Sequence, residues 1–121
     1  MRAVEKLPKT ESAWRNLLAS NKPGVVRNMR DWKKLLASEE NPLKGVDPKI
    51  VREFTKNLKF KGLGLGHANY AMIQDLPFRR FVRLWGHFGL SLDLFADYNN
   101  MKCSGRATCS TSITDICTSN C

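Results

Sequence analysis

Apolar side chains recur at helical spacing along most of this chain, and the pattern stops after Lys102. Near the N-terminus it appears twice. Trp14-Arg15-Asn16-Leu17-Leu18-Ala19-Ser20 is echoed 18 residues later by Trp32-Lys33-Lys34-Leu35-Leu36-Ala37-Ser38. In each copy Trp, Leu and Leu fall at i, i+3 and i+4, one face of a helix. With Pro23-Gly24 between them, the copies predict a helical hairpin; the functional alternative is two copies of one docking motif. Asn41 to Val46 reads as a linker. Asp47 and Pro48 supply a cap and a first-turn proline for a third helix, whose apolar face is Ile50, Val51, Phe54 and Leu58. Lys59 to His67 carries alternating glycines, but the spacing matches neither G-x-G-x-x-G nor a Walker loop. It reads as a flexible loop or a short extended segment. A fourth helix, capped by Asp75 with Pro77 in its first turn, carries Phe78, Phe81, Val82, Trp85 and Phe88. After the turn Gly89-Leu90-Ser91, Ser91 caps a fifth helix bearing Leu92, Leu94, Phe95 and Tyr98, which ends at Asn99-Asn100. The expected fold is all-α, about five helices, with its core between Phe78 and Tyr98.

Composition changes this picture at one place. Residues 103–121 hold all four cysteines, Cys103, Cys109, Cys117 and Cys121, and eight Ser or Thr among 19 residues. Their only large apolar residues are Ile113 and Ile116, so the segment is expected to be a disordered tail on a helical domain spanning 1–102. Arg106 and Asp115 cancel, which leaves the net charge of +9 on residues 1–102. A balance this basic favours an acidic partner: nucleic acid, an anionic membrane surface or an acidic protein groove. No run is long and apolar enough for a transmembrane helix. The start, Met1 to Pro8, lacks the apolar stretch of a secretory signal, so synthesis in the cytoplasm is expected.

The chemistry open to the tail follows from its residue types. A Ser or Thr that loses water becomes an electrophilic alkene, and a nearby thiolate can add to it to leave a thioether. The reaction needs the two partners close together in a flexible, small-residue segment. Thr118 lies three residues before Cys121, and Thr114 three before Cys117. Thr111 or Ser112 can serve Cys117 through a larger ring, and Ser104 can serve Cys109. Thr108, Ser110 and Ser119 complete the modifiable set.

Ser-Ile-Thr-Asp-Ile-Cys-Thr-Ser-Asn-Cys, residues 112–121, resembles the core of lanthipeptide (lantibiotic-type) precursors, which often carry a hydrophobic-Cys-Thr-x-x-Cys step. The resemblance covers only residues 103–121. It implies that 1–102 is a leader that recruits a dehydratase and cyclase, followed by a leader protease and an exporter. The implied product is a secreted, antimicrobial peptide acting at a membrane or cell wall. The chain is then a substrate, with neither enzyme activity nor cofactor expected. Trp85, Phe88, Leu92, Leu94 and Phe95 are the candidate residues for docking into the modifying enzyme.

Three other readings stay open. Four cysteines allow three disulfide pairings, which need an oxidising compartment. A zinc site is conceivable, although C-x5-C-x7-C-x3-C departs from the usual close pairs and neither His67 nor His87 lies near it in sequence. The competing function is a nucleic-acid-binding module, with Phe78 to Tyr98 as a helix-turn-helix. Against it, bulky Trp85 stands four before the turn glycine. The candidate recognition helix also carries Asp93 and Asp97, while Arg79, Arg80 and Arg83 lie on the preceding helix.

Overall fold

The computed structural model describes residues 7–106 and 108–121. Five α-helices are present: α1 (Glu11–Ala19), α2 (Met29–Leu36), α3 (Pro48–Asn57), α4 (Phe78–Gly86) and α5 (Leu92–Tyr98). The fold is nevertheless not all-α. Four strands, β1 (Lys59–Lys61), β2 (Gly64–Asn69), β3 (Asn99–Gly105) and β4 (Thr108–Cys117), form an antiparallel sheet in the order β1-β2-β4-β3. The segment expected to be a disordered tail supplies three of the seven residues of β3 and all of β4, and β4 is an inner strand.

The helix signals are seen at work. Asp47 accepts from the Lys49 amide with Pro48 opening α3, and Ser91 accepts from the Leu94 amide at the start of α5. Asp75 does not cap α4, whose start is set by Pro77 with no side-chain cap. The two sequence copies form α1 and α2 and end alike: Ser20 Oγ donates to the Leu17 carbonyl and Ser38 Oγ to that of Leu35. Their buried leucines differ, Leu18 beside Trp14 but Leu35 beside Trp32. Both tryptophans are fully buried and spend their indole N–H inside the molecule, on the Phe88 carbonyl and on Thr55 Oγ1. These helices therefore belong to the core. Between them, Arg27 closes the end of α1 by donating to the carbonyls of Leu17, Leu18 and Ser20 at 2.9–3.0 Å.

The core is wider than the Phe78–Tyr98 stretch. Trp32, Phe54, Trp85 and Phe88 meet at ring-centroid separations of 5.5–6.1 Å. Leu65 from β2 and Ile116 from β4 are fully buried in the same cluster. Ile116 is the large apolar side chain by which the C-terminal segment joins that core. It has little apolar surface of its own, but it borrows a core that the helices have already built.

Candidate functional site

The glycine-rich stretch makes the seat for the C-terminal segment. Gly62, at φ +62°, allows the turn between β1 and β2, which pair through Lys61 and Gly64. Gly66 does different work: a Cβ there would meet the Lys59 and Asn120 carbonyl oxygens at 3.1 and 3.2 Å and Cys121 Cα at 3.3 Å. Its bare backbone lets the last residues lie directly on β2. Thr118 then fastens them, its amide donating to the Gly66 carbonyl at 2.8 Å and its hydroxyl to the Leu65 carbonyl at 2.6 Å.

Strand β4 does not run straight. Its first part pairs with β3 (Met101 with Thr111, Cys103 with Cys109), and its last part pairs with β2 (His67 with Cys117, Asn69 with Asp115). Between them the register jumps, with Asn100 and Thr114 at positive φ and Ile113 exposed at the bend. Asn69 donates to Asp115, Ser112 donates to the same carboxylate, and the Tyr70 amide takes the Thr114 carbonyl, so the bend is fixed on both sides. This fold-back brings Cys109 and Cys117 together as a disulfide, with Cα atoms 6.0 Å apart. Cys103 and Cys121 are free thiols, the second buried. The sulfurs of Cys103, Cys117 and Cys121 lie within 4.8 Å of one another, and the disulfide puts Cys109 in the same group. Four cysteines from β3, both arms of β4 and the final turn thus converge on one spot.

The surroundings of the cluster are mixed. Cys103 Sγ points at the Gly105 carbonyl at 3.2 Å, and Cys121 Sγ at the Gly105 and Thr108 carbonyls, both at 3.3 Å. Burial, then contact with Cys103, pushes the Cys121 thiol up from its usual range, while the Thr108 backbone and then Lys61 pull it partly back. Beside the thiols is a cavity of about 290 Å³ lined by Lys59, Lys61, His67 and Arg106 together with Cys103 and Cys121. Burial and Lys59 lower the His67 pKa, with Asp115 opposing them, so His67 is neutral at pH 7.

The modifiable hydroxyls are not equivalent. Ser104, Thr108 and Thr111 are exposed, and Ser110, Ser112, Thr114 and Ser119 are half-buried. Ser104 and Thr108 bond local carbonyls, and Ser119 accepts from Arg15. Thr118 alone is buried. It and Cys121 share one turn, closed by the Cys121 amide donating to the Thr118 carbonyl at 3.2 Å.

The docking set divides too. Trp85, Phe88, Leu94 and Phe95 are buried in the core and only Leu92, 51% exposed, faces solvent. The apolar groups open to a partner there are Leu92 and Phe78, at the rim of an apolar cavity of about 170 Å³ that Phe81, Trp85 and Phe95 help to line. Asp93 and Asp97 face outward from α5, while Arg80 is spent on the Pro42 and Lys44 carbonyls. The helix that would enter a groove of DNA therefore presents carboxylates. Sequence reasoning missed Gly66 and Thr118 as the seat of the segment. The signal available was the density of β-branched residues from Thr108 to Thr118.

Among the described residues no helix is long and apolar enough to cross a membrane. The chain has no significant match among protein-family models, curated proteins or solved structures.

Proposed function

We propose that the chain is the precursor of a ribosomally made, crosslinked peptide, with residues 103–121 the segment to be modified and the helical part its carrier. One observation carries the reading. Every cysteine of the chain lies in a stretch that folds back on itself, two of them with a threonine three positions before, and its final turn brings the backbones of Thr118 and Cys121, the ends of a four-residue thioether ring, together. The basic helical part, with Leu92 and Phe78 exposed, is the side a modifying enzyme would grip. Dehydration of Thr118 requires the final turn to leave β2, so the enzyme acts on an opened or not yet folded segment. Cleavage from the carrier and export would follow.

The test is the mass of the peptide isolated from its natural source, after reduction and alkylation. The expected product has lost several waters and resists alkylation at some thiols, because a thioether survives reductant and a disulfide does not. A product with all eight Ser and Thr intact and four alkylated thiols sinks the proposal.

A second reading is favoured by the Cys109–Cys117 bond: residues 103–121 are a permanent, disulfide-fastened part of a small basic domain that binds an anionic partner. Four alkylated thiols after reduction, together with salt-sensitive binding to duplex DNA, is its expected outcome.

A further inference from the structure

We propose that the reduced chain binds one zinc ion through Cys103, Cys109, Cys117 and Cys121. Sequence spacing argues against such a site, because zinc ligands usually come as close pairs. The fold removes that objection. Pairing of β3 with β4 sets Cys103 opposite Cys109, the bend in β4 returns Cys117 to Cys109, and the turn on Gly66 delivers Cys121. The pairs are made in space by the sheet.

The dimensions fit. A tetrahedral centre with Zn–S bonds of about 2.3 Å places its sulfurs about 3.8 Å apart. Three of the sulfurs already lie within 4.8 Å of one another, and the fourth is bonded to one of them. Parting Cys109 from Cys117 and drawing the four sulfurs to that spacing calls for side-chain rotation on the framework that the paired strands set.

The charge fits as well. Four thiolates around Zn2+ carry a net charge of −2, and the adjoining cavity is lined by Lys59, Lys61 and Arg106 with His67 beside them. Those cations have few partners of their own. Among the described residues the only side-chain ion pair is Glu11 with Arg15, on the surface of α1. A basic wall against a partly buried cysteine cluster has no use for a disulfide, which is neutral, but it stabilises an anionic metal–thiolate centre.

The steps balance. A dithiol reductant gives two electrons and two protons to the Cys109–Cys117 bond, forming two thiols and its own disulfide. Zinc then replaces the protons of the four thiols, releasing up to four protons to the medium. Affinity therefore falls steeply as pH is lowered. The Gly105 and Thr108 carbonyls, which face Cys103 and Cys121 as thiols, lose those contacts when the metal binds.

This inference stands apart from the precursor reading, because it concerns the unmodified chain and needs no enzyme. The full chain is reduced anaerobically with a phosphine, freed of excess reductant and titrated with Co2+. The expected result is one cobalt per chain with the intense visible absorption of a tetrahedral thiolate centre, erased by one equivalent of Zn2+. Each of Cys103→Ser, Cys109→Ser, Cys117→Ser and Cys121→Ser should weaken cobalt binding at least tenfold while leaving the far-ultraviolet circular dichroism unchanged. Lys61→Gln, distant from the core, should weaken it only severalfold. No tetrahedral absorption above that of a variant with all four cysteines changed to Ser overturns the proposal. So does full absorption in either Cys103→Ser or Cys121→Ser, which would leave only a local Cys109–Cys117 site. The water losses that test the precursor reading are measured on a different sample and neither experiment decides the other.

Discussion

Single side chains in this protein do work that residue type alone does not announce. Arg27 is one of twenty basic residues in a chain of charge +9, and it reads as part of a solvated surface. In the structure its guanidinium completes the C-terminal end of α1, donating to the Leu17, Leu18 and Ser20 carbonyls beside the last turn. Arg27→Ala is expected to cost about 1–3 kcal/mol, measured by urea unfolding. Arg79→Ala, at an exposed position, should change little. His87 is fully buried, and both its ring nitrogens lack a partner among the described residues. Burial lowers its pKa; Glu40 pushes it upward and Arg83 downward again. The folded state therefore keeps His87 neutral, while the unfolded chain binds a proton near the ordinary imidazole value of about 6.5. Stability is fully present above that pH and is lost as pH falls through it. The thermal midpoint should drop between pH 7.5 and about 5.5, and His87→Phe should flatten that slope. A variant with an unchanged slope would move the proton uptake to another group, His67 first.

At the scale of elements, the helices are legible in the sequence, Lys59–His67 only as a loop or short extended segment, and β3 and β4 not at all, for physical reasons that differ from strand to strand. Trp14 and Trp32, Asp47-Pro48 and Ser91 gave period, cap and start, and each acts locally, within one turn of its helix. Strand β1 is only three residues long, and β2 holds glycines where a pattern of alternating side chains would be sought, because Gly64 admits Leu18 and Gly66 admits the final turn. The lack of apolar residues in β4 points to disorder, but an inner strand needs only enough apolar contact to join a core made elsewhere. Ile116 provides it. The convergence of the cysteines was equally hidden, since it depends on the bend at Thr114 and on a partner strand 48 positions away at Ala68. Ile116→Ala tests this account. It is expected to cost about 2–4 kcal/mol, as for a core isoleucine, against almost nothing for Ile113→Ala at the exposed bend.

For the whole molecule, residues 103–121 are both the chemically rich segment and a structural one. Ending the chain at Lys102 removes β4 from between β2 and β3 and uncovers Leu65. The shortened chain should lose near-ultraviolet circular dichroism and bind a hydrophobic dye, whereas a body independent of the segment would keep its sharp thermal transition. Reduction of Cys109–Cys117 is a smaller change, because the bond closes a loop of only eight residues. The chain-entropy estimate is about 2.5 kcal/mol, and the reduced protein should stay folded. If modification and cleavage follow synthesis, the carrier left behind has an open sheet edge and a vacant place in its core, which makes it a substrate for proteolysis.

The inner position of β4 also orders events in time. Strand β4 is made on the ribosome after every element it joins, so β2 has emerged long before its neighbour exists. Until then the helices can gather around their tryptophans while the sheet waits, with the Leu65 and Gly66 carbonyls unclaimed. During that interval Thr118 and Cys121 are as accessible as any residue of a nascent chain. Once the strand inserts, they are sealed. The interval between the synthesis of β4 and its insertion thus sets how long the hydroxyls and thiols of the final turn stay open to chemistry.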